Sequence, residues 1–555
     1  TVTGTGRPWT TDYSKSKFIL SFGWDQPGKA KNVQARDFIE AKRNGARVVV
    51  LDPRFSVTAS KADEWIPIKP GTDLAFTLAM INVIVNEELY DKEFVENYTS
   101  GLDKLDDFIQ EYTPEWASGI TDIPADTIAR VAREFATTRP AVVATHKRDA
   151  GGPNYANSWR LSHAEVILNA LVGAIDREGG VIFERKPKLP NFGEYFGIPS
   201  YPESVKGERI DGLEKFPILY KTGKASFPTF VEGVLEERPY PIKAALFWKY
   251  NVLAFTDTSK LIEALKKLEF IAVIDILPTE IIEMADVILP DRTYLEGSGV
   301  GVRTYFAKYP QVAIKQPVVK PLYETKGTSS ILIEIGRRMG LDEYFPEGAS
   351  GKSWNEGQLN ALGTSFEEMK ESPTGIWSDK KPFVPKEEFG TPSKKIELYS
   401  QVFEENGYDP LPAWAPKRDL PSNEYPYYLI VTRKPFEKMT QSQNDPILRE
   451  IYPENRALMN RTTAQSLGIR NGEYVYVESR AGKIRVKAEL TEGIRPDCVC
   501  VDHGFGHWSK ELSVAYGIGG NDGDLIPLVT LDEALERKDP SLGACMSDVC
   551  VKVYT

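Results

Sequence analysis

The sequence predicts an α/β chain: two units built on parallel sheets with helices on their faces, followed by a small β-barrel. Three observations predict it. Short apolar runs alternate with stretches of helical spacing through the first half of the chain, and such alternation implies parallel strands joined by crossover helices. From Tyr427 onward the pattern changes to short strands and Gly turns. The length of 555 residues accommodates roughly three to four folding units at about 150 residues each.

Taken in order, residues 17–22 are a short apolar run, 31–44 have helical spacing, and Arg47–Leu51 is a compact β-branched strand. Helices follow over Asp73–Asn86 and 124–137, and 141–145 reads as one more buried strand, followed by a polar, Gly-rich stretch over 147–154. Residues 163–175 are helical again and stop at Gly179-Gly180, a sequence that cannot continue a helix cheaply. Residues 183–240, rich in Pro, Gly, Lys and Glu, read as a long surface excursion. The α/β pattern then resumes with strand Ala244–Trp248, helix 258–268, strand 270–276, a short helix and strand 287–289. Residues 351–410 carry many Gly, Pro and charged residues and read as a link to the last unit. There, Tyr474–Glu478 and 484–487 flank Arg480-Ala481-Gly482-Lys483, a hairpin signal. With 429–432 and 498–501 these strands make the barrel. The units are therefore 1–145, 146–410 and 411–555.

Composition excludes several classes. The net charge of -11 argues against a nucleic-acid surface, which needs clustered positive charge. The longest mostly apolar stretch, 74–85, is too short to cross a bilayer at about 20 residues, and no signal peptide is visible. Four cysteines, Cys498, Cys500, Cys545 and Cys550, form neither a CxxC pair nor a disulfide framework. Cys498 and Cys500 lie two apart in a strand-like run and read as buried thiols on one face.

Two places carry chemistry. Asp52-Pro53-Arg54 follows directly on the strand Arg47–Leu51, and ligands of open α/β sheets bind beyond the carboxyl ends of the strands. About twenty residues on, Lys69-Pro70-Gly71-Thr72-Asp73 opens a helix, whose free N–H groups suit phosphate. A carboxylate there can also accept two parallel hydrogen bonds from the Watson–Crick edge of guanine. Thr72 or Asp73 as a mere N-cap remains the alternative. The same arrangement recurs with Asp275 at the end of a strand and Thr279 at the start of a short helix. No GxGxxG follows any strand, so nicotinamide dinucleotide sites are disfavoured.

Asp-Pro-Arg-Phe-Ser (52–56), Ala-Asp-Glu-Trp-Ile-Pro-Ile-Lys-Pro-Gly-Thr-Asp (62–73), Leu-Tyr-Asp-Lys-Glu-Phe-Val (89–95), Ile-Leu-Asn-Ala-Leu-Val-Gly (167–173), Ala-Asp-Val-Ile-Leu-Pro (285–290) and Ser-Leu-Gly-Ile-Arg-Asn-Gly-Glu (466–473) together resemble the molybdopterin oxidoreductases of the dimethyl sulfoxide reductase superfamily. His503-Gly-Phe-Gly-His507-Trp and the ending 543–553 are most similar to polysulfide and thiosulfate reductase catalytic subunits. The resemblance implies two Rossmann-like dinucleotide-binding domains and a six-stranded barrel of the double-psi type. It implies two molybdopterin guanine dinucleotides holding one molybdenum or tungsten ion. By position, Asp52, Arg54, Gly71, Thr72 and Asp73 would serve one dinucleotide, and Asp275 and Thr279 the other. Thr432, Arg433, Gln441, Ser442 and Asn521 match pterin-contacting positions, and His503 and His507, which flank a Gly-rich turn where His can donate to a ligand, are expected to be cofactor-binding as well. His146 and Arg148 match a region near the metal, where a cation can hold an anionic sulfur chain. The expected substrate is an inorganic sulfur anion, polysulfide or thiosulfate. Other oxyanion reductases (tetrathionate, arsenate), formate dehydrogenase and a non-catalytic scaffold are the alternatives. An iron–sulfur electron-transfer subunit, a membrane anchor subunit and a periplasmic location are implied by family. The cysteine set for a [4Fe–4S] cluster and the usual metal-ligating Cys are absent from this sequence, so the chain reads as lacking the amino-terminal part that carries them.

Overall fold

The computed structural model describes residues 2–4, 9–25, 32–144, 154–198, 207–220, 225–302, 308–379, 381–539 and 545–555. In the first unit, strands β1 (Phe18–Phe22), β2 (Arg47–Leu51), β3 (Glu64–Ile66) and β4 (Ala141–Ala144) form a parallel sheet of order β3-β2-β1-β4. Every residue of β1 and β4 is buried, which is why they read as unbroken apolar runs: helices cover both faces. Helices α1 (Asn32–Arg43), α2 (Asp73–Asn86), α3 (Ala125–Thr137) and α4 (Ser158–Leu171) supply that cover. Helix α2 is apolar nearly all round because it lies at the centre, against Pro114–Thr121, α3 and α4.

The hydrophobic core of this unit runs past residue 145 to Phe183, and it takes in Phe389, Ile396, Leu398, Phe403, Tyr408 and Leu411. Helix α4 is fastened to β4 through Asn169, whose side-chain oxygen accepts from the Val143 N–H at 2.9 Å and whose amide donates to the Val143 carbonyl at 3.3 Å. Residues 389–411 are therefore not a free link. Their chain returns to the first core, with Ile396–Glu397 pairing in parallel with Thr99–Ser100.

In the second unit, β5 (Ala244–Trp248), β6 (Phe270–Asp275) and β7 (Val287–Pro290) form a parallel sheet of order β7-β6-β5. Helices α5 (Phe227–Glu236) and α6 (Thr258–Lys266) bury Val231, Val234, Leu261 and Leu265 with Ile271 and Val273 on one face. On the other face Leu246, Trp248 and Phe270 stay exposed. The stretch 183–240 is thus more than a surface excursion: α5 belongs to this core, and Leu213 and Phe216 are buried with Val529 and Leu531. The Gly, Pro and Glu content of the segment hid those anchors. Strands β8 (Gly299–Val302), β9 (Gln311–Lys315) and β10 (Ile376–Ser378) form a separate antiparallel sheet.

The last unit is a closed six-stranded barrel. Its strands are β11 (Tyr427–Thr432), β12 (Arg456–Asn460), β13 (Tyr474–Glu478), β14 (Lys483–Thr491), β15 (Cys498–Asp502) and β16 (Cys550–Tyr554), in the order β11-β15-β12-β14-β13-β16. Alternation along β14 puts Ile484, Val486 and Ala488 into the interior with Val475, Val477, Val499 and Val551. The expected hairpin is the antiparallel pair β13–β14.

Candidate functional site

The carboxyl edge of the first sheet opens into a cleft whose other wall is the barrel. Asp52, Arg54 and Asp73 come from the first unit, Tyr155 from the approach to α4, and Thr432 and Ser547 from the barrel. Pro53 ends β2, and the chain then pairs with the barrel: Arg54 bridges Ile494, the Phe55 N–H donates to the Gly493 carbonyl at 2.8 Å, and the Arg495 N–H donates to the Pro53 carbonyl at 3.1 Å. Asp52 accepts from the Arg54 N–H at 2.8 Å, and the Arg54 guanidinium lies 3.8 Å from Asp25.

Gly71 has φ +77°, and a Cβ there would press on the Lys417 side chain at 3.0 Å, so only glycine fits this turn. Thr72 occupies the N-cap position of α2 but caps nothing with its side chain. Its hydroxyl donates back to the Lys69 carbonyl at 2.7 Å. Asp73 is the first helical residue and is buried. Burial, reinforced by the Asp52 carboxylate, raises its pKa to about 7. A helix start normally favours an ionised acid, and burial outweighs that preference here.

The carboxyl edge of the second sheet gathers Asp275, Thr279, Asn251 and Glu280. Asp275 accepts from the Ile276 N–H at 2.6 Å, and burial raises its pKa. Glu280 is buried against the barrel, where His507 donates from Nδ1 at 2.9 Å. Burial opposes ionisation of Glu280, but the His507 hydrogen bond and charge outweigh it and hold the carboxyl down at about 2.

The remaining candidates sit on barrel loops. His503 Nδ1 lies 2.9 Å from Asp522. Asn521 donates to the Leu253 carbonyl at 3.0 Å and so ties the barrel to the second unit. Arg433 donates to the Glu437 carbonyl. Ser442 donates to the Glu437 carboxylate, which also binds Arg449. Gln441 is exposed on the same loop. His146 and Arg148 lie outside the described residues. All four cysteines are buried thiols, Cys498 and Cys500 as read from the sequence, and burial pushes Cys500 and Cys550 up to about 12.

Sequence reasoning missed Asn251, Glu280, Tyr155 and Ser547. Asn251 was within reach of the strand-end rule, since it follows β5 by three residues. The other three acquire their place only through contacts distant in sequence.

A bound group with its own donors and acceptors fits these two edges. Among the described residues, the hydroxyl of Thr432 in the first cleft, and the hydroxyl of Thr279 and the side-chain oxygen of Asn251 at the second edge, are buried without a hydrogen-bond partner. Such orphaned groups cost about 1–3 kcal/mol each when nothing meets them. No group of three or more His, Cys, Asp or Glu suited to a metal ion occurs among the described residues.

Comparison with known proteins gives two family matches: Molybdopterin oxidoreductase over residues 5–338 and Molydopterin dinucleotide binding domain over residues 427–533. The chain is 31% identical to the thiosulfate reductase molybdopterin-containing subunit PhsA of Salmonella typhimurium, covering 94% of this chain and 72% of that protein. It is 31% identical to the acetylene hydratase of Syntrophotalea acetylenica (90% and 72%) and 28% identical to the arsenate respiratory reductase subunit ArrA of Chrysiogenes arsenatis (93% and 73%). Among solved structures, acetylene hydratase from Pelobacter acetylenicus superposes with a TM-score of 0.86 at 28% identity, covering 100% of this chain and 80% of that one.

Proposed function

The chain belongs to the molybdopterin oxidoreductase family, and from that premise we propose that it is the catalytic subunit of a bis-molybdopterin guanine dinucleotide enzyme reducing an inorganic sulfur anion, polysulfide or thiosulfate, in anaerobic respiration. It is a molybdopterin-dependent oxidoreductase. The two guanine dinucleotides, the choice between molybdenum and tungsten, and the substrate are the parts proposed. So are the Rossmann-like character of the two α/β units and the double-psi character of the barrel.

The observation that carries the reading is the pair of acid-bearing sheet edges, each closed by the barrel and each keeping buried polar atoms without partners. Asp73 supplies a carboxylate for the N–H donors of one guanine, with Asp52, Arg54, Gly71 and Thr72 shaping its cradle. Asp275 and Thr279 serve the second guanosine. Thr432 meets the first dinucleotide from the barrel side, and Arg433, Gln441, Ser442, His503 and Asn521 belong to loops turned to the pterins. When bound, the pterin-held metal supplies two-electron redox chemistry. Arg148, with His146, holds the anionic substrate and offsets the charge that develops as its S–S bond breaks.

An iron–sulfur electron-transfer subunit and a membrane anchor are the proposed partners, at the outer face of the cytoplasmic membrane. Among the described residues no helix is long and apolar enough to cross a membrane. A [4Fe–4S] cluster and a Cys ligand to the metal are part of the family reading and are proposed with it.

Guanine nucleotide released from natively purified protein tests the cofactor reading: two per chain is expected, and none would favour the scaffold alternative. Turnover with polysulfide, thiosulfate, tetrathionate, arsenate, formate and acetylene then tests the substrate. Activity confined to arsenate, formate or acetylene would remove the sulfur assignment, and activity confined to tetrathionate would keep a sulfur anion but replace polysulfide and thiosulfate.

A further inference from the structure

Glu280 is the carboxylate at the second sheet edge that reaches the barrel. Its Oε1 accepts from His507 Nδ1 at 2.9 Å, from the Trp508 N–H at 3.1 Å and from the Ser509 N–H at 3.3 Å. Its Oε2 accepts from the Asn251 side-chain amide at 2.7 Å. Ser509 adds a hydroxyl that donates to the Pro278 carbonyl at 2.7 Å. Three of the four donors to Glu280 come from one barrel turn, and the fourth comes from the loop after β5. Both Glu280 and His507 are buried, so water competes weakly for these bonds and each is strengthened by the low local polarity.

The consequence falls on Asn251. Its amide nitrogen is committed to Glu280, which fixes the flip of the side chain. Its oxygen is then left buried without a partner, and so is the hydroxyl of Thr279, the residue directly before Glu280. A side chain free to turn would relieve that cost. The Glu280 bond prevents Asn251 from turning.

We propose that Glu280 is a positioning residue for the second site, held by His507, and that it presents the Asn251 side-chain oxygen to the N–H or O–H donors of a bound guanosine moiety. This rests on the bis-dinucleotide reading above. His507, expected from the sequence as a cofactor contact, acts here through Glu280. The latch joins residues 227 positions apart, so the second site is complete only when barrel and second unit are docked.

The test counts guanine nucleotides per chain in the natively purified holoenzyme. In His507→Phe the ring volume remains and the Nδ1 donor is gone. In His507→Asn the side-chain amide restores a donor near the Nδ1 position. The expected result is a fall from two nucleotides to one in His507→Phe, with two retained in His507→Asn. Two in both variants would overturn the proposal, because the donor would be dispensable. One in both would overturn it as well, because restoring the donor would restore nothing. Should the His507 variants not accumulate as folded protein, Asn251→Leu decides: one nucleotide supports the proposal and two overturn it. A wild-type chain carrying none would instead remove the cofactor reading on which the proposal stands.

Discussion

The two α/β units meet the same barrel, but they are joined to it in different proportions of backbone and side chain. The first is stitched by backbone: residues 53–55 pair with 493–495, and the Arg495 side chain spans to Asp122 and to the Pro67 carbonyl. Its sheet is covered on both faces. The second unit has a backbone bond of its own, from the Asp257 N–H to the Ile526 carbonyl at 2.7 Å, but it leans more on side chains, chiefly Glu280 to His507 and Asn521 to Leu253, and one face of its sheet leaves Leu246, Trp248 and Phe270 exposed. Backbone pairing tolerates substitution, whereas a buried carboxylate does not. The first site is therefore robust in its frame and adjustable in its charge. The second is fixed in charge and depends more on side-chain contacts.

The acids at the two sites carry this contrast into pH, and Asp73 gives the largest expected effect. In the unfolded chain its carboxyl ionises near 4 and in the fold at about 7. Between those values the folded state keeps a proton that the unfolded chain has lost, so stability of the ligand-free protein falls as pH rises through the window and levels off above it. A shift of about three units corresponds to about 4 kcal/mol. Asp73→Asn should abolish that slope and slow hydrogen exchange across α2 at pH 8, in the ligand-free chain. An unchanged pH profile would show that the acid is not buried as described. The same variant should lose the first guanine nucleotide, because an amide offers one acceptor where a carboxylate offers two.

Glu280 behaves in the opposite sense. Its folded value of about 2 lies below the ordinary 4.5, so its contribution is fully present above about pH 4.5 and is lost as pH falls toward 2. The size is about 3 kcal/mol. Glu280→Gln should therefore destabilise the seam at pH 7 by about that amount and flatten the acid limb of its stability. Hydrogen exchange at 280–284 and 507–509 reads the change locally. Equal acid sensitivity in wild type and variant would break the comparison between the two sites.

Legibility divides along the same line. Asp52 and Asp275 could be found because a parallel strand delivers its ligand contacts at its carboxyl end, and a strand followed by Asp is visible in one dimension. The β13–β14 hairpin was visible through alternation around a Gly turn. Glu280 was not visible, since nothing in Pro278-Thr279-Glu280 announces a His that lies in another unit. The return of Phe389, Ile396 and Leu398 to the first core was hidden by the Pro and Lys around them, and α5 by its short apolar stripe. Local pattern records periodicity and strand ends, but it does not record which distant element a side chain meets.

A smaller effect separates ligand binding from framework. The Thr432 hydroxyl is buried in the first cleft without a partner, so Thr432→Val should stabilise the ligand-free chain by about 1 kcal/mol, the lower end for an orphaned polar group. The same change should weaken retention of the first nucleotide, which the ratio of guanine to chain after dialysis measures. Loss of stability without loss of nucleotide would mean that the hydroxyl serves the barrel instead.

The smallest effect is expected where the first unit looks most heavily charged. Arg495 reaches Asp497 at 2.7 Å and Asp122 at 2.8 Å, which suggests a strong clamp. Yet water reaches the acids, with Asp122 45% and Asp497 32% exposed against 14% for Arg495, and ion pairs open to water contribute about 0–1 kcal/mol. The backbone bonds of 53–55 to 493–495 do not depend on the Arg495 side chain at all. Arg495→Ala should then cost less than about 1 kcal/mol in urea unfolding, with the cost shrinking further in high salt, and leave the first nucleotide in place. A loss as large as that of Glu280→Gln would mean that the first unit, too, hangs on a side chain, and the contrast between the two seams would disappear.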